Sequence, residues 1–114
     1  MAKCVIADDS RIIRMLLSKI MANLNFEVIE AEDGEEVVEM VALNEPAVVI
    51  MDWRLPVLDG IDALYKIRSL KKIKQPKVMF CSSLVDVDKI REALDGGADD
   101  YMKKSSLPNL RFLA

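Results

Sequence analysis

A small set of polar side chains in this sequence follows directly on short apolar runs: Asp8 and Asp9, then Asp52, then Ser82 and Ser83, then Lys103 and Lys104. Carboxylates, hydroxyls and amines carry most of the available chemistry, because the 114 residues include no histidine. That absence excludes Ser-His-Asp and Cys-His nucleophile systems and the common His-containing zinc sites. Three carboxylates gathered at ~4 Å repel one another by on the order of 4 kcal/mol per pair at an effective dielectric of ~20. A divalent cation removes that repulsion, and an all-oxygen donor set favours Mg²⁺, Mn²⁺ or Ca²⁺ over zinc. Mg²⁺ typically takes one or two carboxylates and completes its shell with water and phosphate oxygens. The chemistry such residues suit is therefore phosphoryl transfer. An aspartate can act as nucleophile and carry the phosphoryl group as an acyl phosphate. An amine and a hydroxyl then neutralise and hydrogen-bond the phosphoryl oxygens.

The elements that must bring these residues together are legible in the hydrophobic pattern. Apolar runs at residues 4–7, 28–31, 47–51, 78–81 and a weaker one at 101–102 read as strands. The third and fourth are continuously apolar, as central parallel strands covered on both faces are. Between the runs lie segments of helical period: residues 11–25 with a stripe of Ile12, Ile13, Leu16, Leu17, Ile20, Met21 and Leu24; 34–44 with Val37, Val38, Val41 and Ala42; 61–71 with Leu64, Ile67 and Leu70; and 86–97 with Val87, Ile90, Ala93 and Leu94. Ser10 and Asp86 suit helix N-caps, and Gly97 suits a helix C-terminus. Pro46 closes the second helix, because the residue before proline avoids helical angles. Pro108 fits the first turn of a short last helix, with Leu110, Phe112 and Leu113 able to dock on the sheet. Strand–helix alternation at this spacing predicts one α/β domain over residues 1–114, a parallel sheet with right-handed crossovers. In such sheets ligands bind beyond the carboxyl ends of the strands, where the acids, serines and lysines fall.

At this point the residues meet a known family. Asp8-Asp9, the run from Asp52-Trp53-Arg54-Leu55-Pro56 to Asp59-Gly60, Phe80-Cys81-Ser82-Ser83, and Gly97-Ala98-Asp99-Asp100-Tyr101-Met102-Lys103-Lys104 closely resemble the receiver domain of two-component response regulators, most of all the free-standing chemotaxis-regulator type. The resemblance runs from Lys3 to Lys104. It implies a flavodoxin-like, doubly wound (βα)5 fold with strand order 2-1-3-4-5, an order for which the chemotaxis receiver is itself a standard example. It implies Asp52 as phosphoacceptor, and Mg²⁺, with Mn²⁺ as a substitute, held by Asp9, Asp8, Asp52 and the Arg54 carbonyl. It implies Ser82 as the hydroxyl that follows the phosphoryl group, Lys104 as its cation, and Tyr101 as the aromatic that changes rotamer. Ser82 and Lys104 are chosen over Ser83 and Lys103 by the spacing usual in receivers. The implied partners are a histidine kinase or histidine phosphotransfer protein upstream and a protein target downstream. Phosphorylation and dephosphorylation would be partly self-catalysed, in a signalling protein rather than a turnover enzyme. One departure is Ser105, where receivers usually carry a proline after a cis bond; a cis bond to a non-proline residue costs about 2.5–4 kcal/mol. Either that strain is kept or the Lys104 loop differs. The short last helix is another departure.

Composition narrows the alternatives. A net charge of −3 and a pI near 5.0 argue against general nucleic-acid affinity. The longest apolar stretch, residues 47–51, is far below a membrane span of ~20 residues, and no secretory signal opens the chain, so a cytoplasmic protein is expected, monomeric or weakly dimeric. Cys4 and Cys81 read as reduced core thiols, and the methionines as gap-fillers. Trp53 reads as a partly exposed neighbour of the acids, and Asp59-Gly60 as turn chemistry. Lys66, Arg68, Lys71, Lys72, Lys74 and Lys77 read as a solvated helix end. Asp8-Asp9 could simply be an acidic pair at a helix start. A dehalogenase-like phosphatase would want a second acid two residues after the nucleophile, where Arg54 stands. A flavodoxin-like cofactor binder would want a hydroxyl- and glycine-rich loop where Asp8-Asp9-Ser10-Arg11 stands. A degenerate receiver used only for docking is the remaining rival.

Overall fold

A computed structural model describes residues 1–83 and 86–107. Five strands alternate with four helices: β1 (Lys3–Ala7), α1 (Arg11–Asn23), β2 (Glu27–Ala31), α2 (Gly34–Asn44), β3 (Val48–Met51), α3 (Gly60–Ser69), β4 (Lys77–Ser82), α4 (Val87–Asp95) and β5 (Asp100–Lys103). A single 3-10 turn, Lys104–Ser106, follows. The strands form one parallel sheet in the order β2-β1-β3-β4-β5, the expected flavodoxin-like arrangement. The expected last helix at Pro108 lies outside the described residues.

Side chains alternate across the sheet, so each central strand feeds two cores. Val5, Ala7, Val49, Met51, Val78 and Phe80 face one side, where Val37 and Val41 of α2, Ala63, Leu64 and Ile67 of α3, and Ala93 of α4 cover them. Cys4, Ile6, Ile50 and Cys81 face the other side, where Leu17 and Met21 of α1 cover them. Both thiols are buried and unpaired, and burial pushes them up, Cys4 to about 12 and Cys81 to about 11. Among the described residues no helix is long and apolar enough to cross a membrane.

The helix ends follow from local chemistry. The Ser10 hydroxyl accepts from Ile13 N, and the Asp86 carboxylate accepts from Asp88 N and Lys89 N. Glu45, ahead of Pro46, takes a left-handed conformation that ends α2. Gly96 caps α4, and Gly97, at φ +111°, turns the chain toward β5. The α1 stripe is narrower than its sequence suggests. Ile12 is 56% exposed and Leu24 61%, while Arg14 between them is buried. Val87 and Leu94 of α4 are likewise exposed, with Ala93 carrying the contact to the core. Arg68 is no solvated lysine-like cation. Its guanidinium donates to Gly97 O, Gln75 Oε1 and Pro76 O and pairs with Asp99, tying α3 to the loops beside β4 and β5.

Candidate functional site

The acids emerge where parallel strands end side by side. Asp8 follows β1 and Asp52 follows β3, and Asp52 N donates to Ala7 O at 2.9 Å, carrying the ladder one residue past both strands. Ser82 closes β4, in register with Lys103 of β5. Lys104 begins the 3-10 turn directly after β5. Four neighbouring strands thus deliver their next residues to one edge, as open α/β sheets do.

Carboxylate oxygens of Asp8, Asp9 and Asp52 lie within 4.8 Å of one another. Asp8 is 1% exposed and Asp52 8%, whereas Asp9 is exposed. Lys104 Nζ bridges the two buried acids, 2.8 Å from Asp8 Oδ2 and 2.9 Å from Asp52 Oδ2. Asp8 Oδ1 accepts from Ser10 N at 2.8 Å. Burial raises the Asp8 carboxyl above its ordinary value, against the opposing pull of Lys104 and the Ser10 N–H. Burial pulls Lys104 down, but its hydrogen bonds and charge pairing with Asp8 and Asp52 outweigh that and hold it above its ordinary value.

Three carboxylates against one bridging ammonium leave a formal surplus of two negative charges, and every donor is a hard oxygen. A site of that charge and chemistry fits a hard divalent cation. Arg54, two residues beyond Asp52, is exposed.

Two loop features keep Asp52 in place. Gly60 N donates to Trp53 O at 2.9 Å, and a Cβ on Gly60 would collide with the Asp52 carbonyl and with Phe80, so only glycine allows this approach. Trp53 departs from the expectation of partial exposure. It is 5% exposed, because the loop folds it onto Phe80, with ring centroids 5.2 Å apart, and into the larger core. Lys89 of α4 lies over its ring at 5.5 Å. Tyr101 is half-buried against the same core, beside Phe80 across the β4–β5 ladder. Ser82 is buried at the site's edge and Ser83 is exposed. The Lys104–Ser105 bond is trans, and the 3-10 turn still brings the ammonium to both acids, so the loop differs and the lysine keeps its place.

One residue at this site is not legible in the sequence. Arg14 of α1 reaches back to donate from Nη1 to the Asp8 carbonyl oxygen at 2.6 Å, and pairs with Glu30 and Glu32. The available signal was weak: two glutamates alternating at the end of the strand beside β1.

Comparison with known proteins agrees with this architecture. Residues 4–111 match the family model described as response regulator receiver domain. Chemotaxis protein CheY of Bacillus subtilis is 33% identical over 103 residues, covering 90% of this chain and 84% of that protein. CheY of Halobacterium salinarum is 38% identical over 106 residues, covering 91% and 86%. The transcriptional regulatory protein PdtaR of Mycobacterium tuberculosis is 39% identical over 103 residues, but the chain spans only 49% of it. Among solved structures, Vibrio cholerae CheY4 superposes with a TM-score of 0.85 at 26% identity over 99% of this chain and 92% of that one. The chain belongs to the response regulator receiver domains, the phosphoacceptor switches of two-component signalling.

Proposed function

We propose that Asp52 is the phosphoacceptor and that the chain, as a single domain over residues 1–114, receives a phosphoryl group from a phosphohistidine on a partner kinase or phosphotransfer protein. One Asp52 carboxylate oxygen attacks the phosphorus in line. The new P–O bond forms as the P–N bond to the donor imidazole breaks, and the electron pair leaves with that imidazole. Asp8, Asp9, Asp52 and the Arg54 carbonyl would hold Mg²⁺, with Mn²⁺ as a substitute. When bound, the ion supplies neutralising charge to the phosphoryl oxygens. Lys104 gives up its contact with Asp52 Oδ2 and donates to a phosphoryl oxygen instead, and the Ser82 hydroxyl donates to another. Both bonds are charge-assisted and stronger than neutral ones. Tyr101 follows Ser82 toward the site. Burial of its ring then changes the surface formed by α4 and β5, by population shift. Water attack on the acyl phosphate returns the resting state, so the cycle is partly self-catalysed. The output is contact with a protein target; nucleic-acid binding and membrane insertion play no part in this reading, which places a monomer or weak dimer in the cytoplasm.

The observation that carries the reading is the convergence of Asp8, Asp9 and Asp52 within 4.8 Å, bridged by Lys104. The test is treatment with acetyl phosphate and Mg²⁺, followed by mass spectrometry of the intact and digested protein. One phosphoryl adduct on the Asp52 peptide, absent in Asp52→Asn and absent with EDTA, is the expected result. An adduct elsewhere, or none, overturns the assignment.

A further inference from the structure

We propose that Arg14 is a positioning residue that orients the two β1 acids toward a bound divalent cation; the inference rests on the metal centre proposed above. Arginine is rarely buried without partners, and Arg14 is 8% exposed. Its guanidinium serves three acceptors in different directions. Nη1 donates to the Asp8 carbonyl at 2.6 Å, Nε to Glu30 Oε1 at 3.1 Å, and Nη2 to Glu32 Oε1 at 3.4 Å.

The first contact matters for what the carbonyl belongs to. The Asp8 C=O is half of the peptide plane that joins Asp8 to Asp9. That plane is rigid, so fixing its oxygen limits both ψ of Asp8 and φ of Asp9. Those two torsions set where the Asp9 carboxylate stands relative to that of Asp8. Asp8 is also pinned by Ser10 N and by Lys104, whereas Asp9 is exposed. The peptide plane is therefore the structural link through which Asp9 is aimed. Glu30 and Glu32, on the β2 side, hold the guanidinium from behind with carboxylates that remain half-exposed or more. Their ion pairs keep the fork in register without adding acids to the centre itself.

A lysine at position 14 keeps the charge but cannot make the fork, because its single ammonium lacks the planar spread of donors. Groups that orient metal ligands typically change affinity by about 10–100-fold when replaced. The experiment titrates the full chain with Mn²⁺, reading free metal by electron paramagnetic resonance, for wild type, Arg14→Lys, Arg14→Gln, Arg11→Gln and Asp52→Asn. Urea midpoints in EDTA are measured alongside. Arg11 is exposed on the same helix, so its variant removes equal charge without the fork. The expected result is binding of one Mn²⁺ that Asp52→Asn abolishes, weakened about tenfold or more in both Arg14 variants and changed less than about twofold in Arg11→Gln. A merely structural arginine would lower the urea midpoint and leave the metal affinity of the folded protein alone; an Arg14→Lys affinity equal to wild type overturns the proposal. So does an Arg11→Gln loss as large as that of Arg14→Lys, which would assign the effect to bulk charge. Wild type that binds no Mn²⁺ through Asp52 instead refutes the metal centre, and this inference with it.

Discussion

Replacing Lys104 by methionine removes the only ammonium that bridges the two buried acids among the described residues. At 2.8 and 2.9 Å, each attraction is about 6 kcal/mol at an effective dielectric of ~20. Desolvation of the three groups offsets most of that. Breaking a buried pair by deleting one partner nevertheless costs about 3–5 kcal/mol, because a charge is left uncompensated. Asp8, 1% exposed, is that charge, and it is left facing Asp52. Urea unfolding followed by far-UV circular dichroism reads the loss. With a urea dependence of about 1–3 kcal/mol per molar, the midpoint in EDTA at neutral pH falls by about 2 M. Two conditions should restore much of it. Saturating Mg²⁺ supplies the missing positive charge. Mild acid, where the raised Asp8 carboxyl takes up a proton, removes the negative one. An unchanged midpoint, or a loss that neither Mg²⁺ nor acid reduces, refutes the argument that Lys104 serves as counter-ion to these acids.

Three further outcomes follow from the same geometry. In EDTA the wild-type stability should fall as pH rises from the ordinary carboxylate range through the raised Asp8 value, because the folded state there still binds a proton that the unfolded chain has released; urea midpoints against pH check this, and saturating Mg²⁺ should flatten the slope. Val57 holds φ +68° on an exposed loop position, a conformation that costs a β-branched residue about 1–2 kcal/mol, so Val57→Gly should raise the thermal midpoint rather than lower it. Lys89→Ala removes the cation over Trp53, a contact of about 0.5–1 kcal/mol; faster amide exchange in α4 and a shift in Trp53 emission are expected, and unchanged exchange would show that the contact does not hold the helix.

The parts of the fold written in short-range chemistry are legible in the sequence. α2 runs over residues 34–44 as expected, because Asp33 accepts from Glu36 N at its start and Pro46 blocks continuation at its end. The sheet order follows from resemblance; strand-end placement gathers the acids, the serines and the lysine pair at one edge, and the choice of Lys104 over Lys103 again rests on resemblance. Long-range packing was harder. Trp53 looked like a surface neighbour because nothing adjacent in sequence announces Phe80 or Lys89. Arg14 has no place in a hydrophobic stripe, and nothing beside it in sequence announces Glu30 and Glu32, 16 and 18 positions on. Ile12 fell into that stripe by periodicity alone, yet faces solvent. Arg68 was grouped with its lysine neighbours for the same reason: its partners Gly97 and Asp99 lie about thirty positions away.

Lys104 and Asp8, 2.8 Å apart in space, are separated by nearly the whole length of the chain. Protein synthesis runs from the amino end, so on a ribosome Asp8 and Asp52 are made long before Lys104. A sheet without its fifth strand would leave Asp8 and Asp52 at its rim with no ammonium between them, so docking of that strand is what relieves their repulsion.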